Sequence, residues 1–248
     1  IQCVPTIVPS ESFNTVLYTG NNSTQSITGV GFQPDFTWIK ARDNGSNNHA
    51  LTDSVRGTGS GNGLSSNTTG AEGQYSAAYG YLSAFSTDGF TVTGGTTSSG
   101  FVNNENTTYV AWNWKAGGAA VSNTDGTITS QVSANVDAGF SIVSWTGDGN
   151  ASARVGHGIS KPDMIITKSL TNINDWNVNH VGIPNEIIYL QSTNAAFSGG
   201  GTNGAFGYQS TNTSTTFGFT GGSSGVNNVN KLNSNYIAYC FHSVDGFS

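Results

Sequence analysis

Aromatic and β-branched residues alternate with small or polar ones in short runs along this chain, and Gly, Asn, Ser and Thr fill the spaces between. In Tyr109–Trp114, "YVAWNW", Val110, Trp112 and Trp114 share one face of an extended strand, with Tyr109 and Ala111 on the other. The pattern returns in Tyr236–Phe241, "YIAYCF", with Ile237, Tyr239 and Phe241 on one face. Both faces are mostly apolar, which predicts central strands, and Trp114 and Phe241 are expected to fill the cores of their own segments. Val16 with Tyr18, Phe36 with Trp38, Val143 with Trp145 and Met164 with Ile166 mark further strands; "HALTDSV" and "NEIIYLQS" are looser candidates. Turns are predicted at Asp43-Asn44-Gly45, Asp88-Gly89, Asp125-Gly126 and Asp148-Gly149, where these residues tolerate positive φ. The spacing of Tyr75, Ala78, Tyr79 and Leu82 is helical and predicts a short helix between Ala71 and Phe85.

The strands repeat. Tyr236 lies 127 positions after Tyr109, and "FNTVLYTGN" (Phe13–Asn21) meets "FSIVSWTGD" (Phe140–Asp148) at the same offset. "FTVTGG" from Phe90 meets "FGFTGG" from Phe217 at 127, and "PDFTWIK" from Pro34 meets "PDMIITK" from Pro162 at 128. Four ordered matches with one small insertion make the chain a tandem repeat. The expected organisation is an N-terminal arm over residues 1–12 and a first β-sandwich over 13–118. A linker or hairpin over 119–138, with "TITSQV" as a strand, leads to a second sandwich over 139–248. Each copy is expected to fold alone. The closing "VDGFS" echoes "VDAGFS" at Val136–Ser141, so a continuation of the chain, or pairing of this tail with a neighbouring subunit, is expected.

Composition narrows the class to all-β. The chain has 34 Gly and 9% charged residues, yet its 11% aromatic content argues against disorder. A formal net charge of −6 without a basic cluster argues against nucleic-acid binding. No run of about 18 apolar residues is present, so no membrane-spanning helix is expected. Two cysteines, Cys3 and Cys240, are read as packed thiols or as one bridge joining the ends, which would need an oxidising compartment.

The longest motifs are "YTGNNSTQSITGVGFQPDFTWIKARD", "DSVRG", "STDGFTV", "YVAWNWKAGGAAVSNTDGTITSQVSAN" and "GFSIVSWTGDGNASARVGHGISKPDMIITK". They closely resemble a repeat module in virion proteins of marine tailed bacteriophages, a domain of unknown function found in structural and tail-fibre-like proteins. The resemblance runs from Phe13 to Ser248. It implies tandem jelly-roll or lectin-like (SPRY-like) sandwiches in a non-enzymatic virion protein: a tail fibre, head appendage or surface decoration. Such a role carries other virion proteins as expected partners; self-association is expected from the unpaired closing strand, and contact with host-surface glycans from loop aromatics. The resemblance supplies no catalytic residues. A secreted lectin-like adhesin and an extracellular filament subunit are the alternatives.

Candidate chemistry is sparse. His49, Asp53 and Ser54 are the nearest local hydrolase set, but Ser54 has the wrong strand parity, so no catalytic residue is assigned. Asp53 with Arg56 is expected to form an ion pair that pins a loop. His49, His157, His180 and His242 lack metal-ligand spacing. "DNGSNN", "NTDG" and "TGDGN" offer oxygens to calcium, but Asx turns account for the same residues, so no cofactor is expected. The aromatic residues left for stacking on a sugar are Tyr75, Tyr79 and Tyr81 in one loop and Tyr208 in another.

Overall fold

The computed structural model describes residues 8–74, 77–98, 100–197, 211–219 and 228–247. The first half contributes β1 (Phe13–Thr19), β2 (Gln25–Thr28), β3 (Phe36–Ala41), β4 (Ala50–Asp53), β5 (Tyr81–Ser86), β6 (Gly89–Thr93) and β7 (Thr108–Trp114). The connecting segment adds β8 (Val121–Asn123) and β9 (Ser130–Asn135). The second half holds β10 (Phe140–Thr146), β11 (Arg154–Gly156), β12 (Met164–Ser169), β13 (Asn177–His180), β14 (Ile188–Tyr189), β15 (Thr216–Gly218) and β16 (Asn235–Phe241). The fold is all-β, and its sheets are antiparallel.

The sequence offset reappears as sheet order. In the first half the order is β1-β7-β3-β4; in the second, β10-β16-β12-β13 forms the middle of a seven-stranded sheet. Register is kept as well: Phe13 faces Trp114 across β1 and β7, and Phe140 faces Phe241 across β10 and β16. A second layer repeats in the same way, as β2-β6-β5 and then β11-β15. The expected strand in "TITSQV" begins at Ser130, and its hairpin with β8 joins the second half by pairing β9 with β10.

Small hydrogen-bonded devices repeat too. Oδ2 of Asp35 accepts from Ala116 N at 2.8 Å, and Oδ2 of Asp163 accepts from the equivalent Ser243 N at 2.7 Å. The Tyr109 hydroxyl accepts from Asn104 N, as the Tyr236 hydroxyl does from Lys231 N, both at 2.9 Å. Tyr18 stacks on Tyr109 at 5.1 Å, and Trp145 on Tyr236 at 5.3 Å. A Cβ on Gly20 would sit 2.1 Å from Asn104 O, and one on Gly147 2.3 Å from Lys231 O, which explains the glycine of each "TG".

Three apolar clusters form among the described residues. In the first half Tyr109, Ala111 and Ile39 face Phe90, Val92 and Leu82 of the smaller sheet. In the second half Tyr236, Ala238 and Cys240 face Val155 and Phe217. The third cluster joins the halves, with Phe36, Leu51 and Leu64 against Phe140, Ile142, Ile166, Trp176 and Tyr239. Trp114 and Phe241 pack on this third cluster, so the expectation that they fill the cores of their own copies is corrected. Their strands are central, but β7 turns Tyr109 and Ala111 inward and lends its Trp114 face to the other half. Both faces are apolar because both are covered.

Two local expectations also change. The helix between Ala71 and Phe85 does not form among the described residues: Ala77–Tyr79 is a turn, Gly80 has φ +84°, and Tyr81 already belongs to β5. Pairing of β5 with β6 overrides the helical spacing. The strand in "NEIIYLQS" shrinks to Ile188–Tyr189.

Candidate functional site

The described aromatic that best suits a ligand is Tyr79. It is 45% exposed and meets Phe101 edge to face, with centroids 5.8 Å apart. Phe101 in turn packs on the first core, so the exposed ring has a rigid support. The turn is stapled to the segment after β6: Thr96 N donates to Ala77 O, while Thr97 N and Ser98 N donate to Ala78 O. Facing it, the loop after β3 is gathered by the Lys40 ammonium, which donates to Asn44 O at 3.2 Å and Asn47 O at 2.8 Å. Between the two segments lies a pocket of about 190 Å³ lined by Ser46, Asn47, Asn48, Tyr79, Ser98 and Phe101.

Asn47 supplies the polar half of this pocket. Its Nδ2 is buried and has no hydrogen-bond partner among the described residues, while Oδ1 lies beside Gly100. Asn48 Oδ1 is held by Asn67 Nδ2 at 2.8 Å. An exposed ring on a rigid support, beside a pocket lined by Ser46, Asn47 and Asn48, suits a polyhydroxylated ligand, whose C–H face stacks on the ring.

The other expected ligand residues separate. Tyr81 is corrected: it lies in β5, not in a loop, and its half-buried ring packs on the first core because pairing with β6 turns it there. Tyr75 and Tyr208 lie outside the described residues.

The hydrolase set does not converge. His49 Nδ1 accepts from Trp38 Nε1 at 2.8 Å, and burial, with Lys40 nearby, lowers the imidazole pKa. Ser54 N donates to Asp35 O at 2.7 Å. Asp53 is fully buried and pairs through Oδ2 with Arg56 Nε at 2.6 Å. Arg56 continues to Glu72 Oε1 at 2.8 Å, and the Tyr239 hydroxyl donates to Asp53 Oδ2 at 2.9 Å. Burial alone would lower Arg56, but Asp53, Tyr239 and Glu72 together carry it above its ordinary value. The pair does hold the loop, and it also clamps one half to the other.

The acidic and amide residues considered for calcium make local bonds. Asn44 Oδ1 accepts from Ser46 N, Asn123 Oδ1 from Asp125 N and Asp148 Oδ1 from Asn150 N, each an Asx turn. Among the described residues no group of three or more His, Cys, Asp or Glu is placed to hold a metal ion. Cys240 is a free thiol, buried within β16, and burial pushes its pKa up to about 12.

A family model for a domain of unknown function, DUF7483, matches residues 8–248. The chain belongs to this family. No curated protein and no solved structure matches it. The DUF7483 match runs through both halves and the hairpin between them, so the family's unit includes the shared cluster.

The DUF7483 domain also carries a cleft of about 330 Å³ at that junction, lined in part by Phe13, Trp114, Phe140, Phe241 and His180. A more polar one of about 390 Å³ lies between Glu72 on one side and Ser144, Trp145 and Asn235 on the other. Sequence reasoning missed both clefts and Phe101, and it read Asn47, within "DNGSNN", only as an oxygen donor to calcium. Each depends on segments distant in the chain, and the one available signal was the aromatic at Phe101 just ahead of β7.

Proposed function

We propose that this DUF7483 chain is a non-enzymatic structural protein of a bacteriophage virion, serving as a tail fibre, head appendage or surface decoration. Its two halves are tandem lectin-like β-sandwiches of jelly-roll or SPRY-like type, and the first contacts host-surface glycans through the pocket at Tyr79. The exposed Tyr79 ring over a pocket lined by Ser46, Asn47 and Asn48 carries the glycan part of this reading. The virion part is supported by the long motifs resembling phage structural modules. The Asp53–Arg56–Tyr239 clamp supports a rigid structural role, because its charged groups are taken up in bonds to one another that join the two halves.

Two measurements test it. Negative-stain imaging with a labelled antibody against this chain is expected to decorate tailed particles at a fixed position. Labelling confined to bacterial surfaces would favour a secreted adhesin instead. On a glycan array, the chain is expected to bind a subset of bacterial surface saccharides, and Tyr79→Ala to lose that binding while keeping its far-UV spectrum. Equal binding by the variant would remove the pocket from the proposal.

A further inference from the structure

The aromatic cleft at the junction is built from one register pair used twice. Phe13 faces Trp114 across β1 and β7, and Phe140 faces Phe241 across β10 and β16. The fold brings the two pairs together, with Trp114 6.3 Å from both Phe140 and Phe241. Phe13–Trp114, Trp114–Phe241 and Phe140–Phe241 are inclined at 51°, 71° and 41°, so the rings enclose a hollow instead of stacking flat. Phe247, beyond β16, adds a fifth ring to the lining. Phe13, Trp114 and Phe241 are each half-buried, which leaves ring surface open to a ligand.

The polar side of the cleft carries one sign of charge. Among the described residues that line it, Asp163 is the only Asp, Glu, Lys or Arg. The repeat shows why this carboxylate is reachable. Its counterpart Asp35 is 3% exposed, because Oδ2 accepts from both Ala116 N and Gly118 N as the chain runs on into the hairpin. Asp163 accepts from Ser243 N in the same way, yet its side chain stays 32% exposed. His242 Nδ1 lies 3.4 Å from Asp163 Oδ2 but donates to Lys161 O at 2.8 Å, a bond that a neutral imidazole makes.

Ring walls with a single carboxylate select one kind of guest. An anion meets the Asp163 charge and the negative faces of the rings. A compact, strongly hydrated cation gives up more water than apolar walls can replace. A methylated ammonium is weakly hydrated and is drawn to ring faces, that of Trp most strongly. A cleft of about 330 Å³ suits a small molecule. We propose that it binds the quaternary ammonium group of a small molecule, held among Phe13, Trp114, Phe140 and Phe241 with Asp163 as counter-ion. The site is separate from the pocket at Tyr79 and does not depend on it.

The test is isothermal titration calorimetry of the intact chain with choline and with 3,3-dimethylbutan-1-ol, its uncharged isostere. Choline is expected to bind at one saturable site, about tenfold or more tightly than the isostere. Asp163→Asn keeps an oxygen for Ser243 N and removes the charge; it is expected to weaken choline binding by about tenfold, with little change for the isostere. The wild-type comparison decides by itself whether or not the variant folds. Phosphocholine would bring a second negative group toward Asp163 and is expected to bind more weakly than choline. No saturable binding of choline, or equal binding of choline and its isostere, overturns the proposal. So does a folded Asp163→Asn chain that binds choline as tightly as wild type. Phosphocholine binding as tightly as choline or more so would assign the cleft to a phosphorylated head group and overturn the free ammonium compound as its ligand.

Discussion

The phenol of Tyr239 donates to Oδ2 of Asp53 at 2.9 Å across the junction of the two halves, although the residues lie 186 positions apart. Tyr239 also stacks on Phe36 at 4.1 Å, so one side chain supplies both the apolar and the polar part of the junction. Burial, with the Asp53 carboxylate beside it, raises the phenol pKa well above its ordinary value and keeps the hydroxyl a donor. Tyr239→Phe keeps the ring and removes the donor; it is expected to cost about 1–3 kcal/mol. Asp53→Ala strands a buried guanidinium beside Glu72 and is expected to cost about 3–5 kcal/mol. Urea titrations read both, and equal losses would mean that the charge pair adds nothing beyond the hydroxyl.

The junction also decides how the chain unfolds. Separating the halves would uncover Phe36, Leu51, Ile142, Ile166, Trp176 and Tyr239, and would break the bonds from Trp176 Nε1 to Ser65 O and Thr68 O. A single calorimetric transition is therefore expected, with calorimetric and van't Hoff enthalpies equal. Two resolved transitions would restore the simpler picture of copies that fold alone.

Much of the architecture was legible because each repeated motif performs a backbone task. The Asp of "PD", the Gly of "TG" and the Tyr in second place in β7 and β16 make the same bonds twice, so an offset in letters became an offset in register. Which face of β7 serves its own core was not legible. Alternation distinguishes two faces only when one is polar, and here Trp114 and Tyr109 are both aromatic. The candidate pocket was half legible: Tyr79 stood out as an aromatic among glycines, but Asn47 is one of many asparagines, and only the fold brings it to Phe101. Tyr81 misled because its strand is specified by β6, not by its neighbours.

Trp114 and Phe241 occupy equivalent positions in the two halves and meet edge to face at 6.3 Å. Replacing either by Ala is expected to cost about 2–4 kcal/mol, since each ring is half-buried in a shared cluster. The double variant is expected to fall short of additivity by about 0.5–1.5 kcal/mol, the range for contacting aromatic pairs. A denaturant cycle checks this. Strict additivity would mean that each ring serves only its own half.

Acid should weaken the chain through His157. The residue is fully buried beside Phe217, and its Nδ1 accepts from Ile159 N at 3.3 Å, an arrangement that needs a neutral ring. Burial pushes its pKa down from 6.5 to about 4, against smaller opposing effects of Thr213 O and Asp125. Between these values the unfolded chain binds the proton and the folded chain does not, so stability rises with pH. The contribution is complete above about pH 6.5 and is lost as pH falls toward about 4, on the order of 3 kcal/mol in all. His49, also lowered by burial, adds a dependence of the same sign. His157→Asn retains an acceptor close to the Nδ1 position and cannot titrate. Its unfolding free energy is expected to change less between pH 7 and pH 5 than that of wild type, most of the difference being His157's share. Parallel pH profiles for the two proteins would show that His157 takes up its proton equally in the folded and unfolded chains.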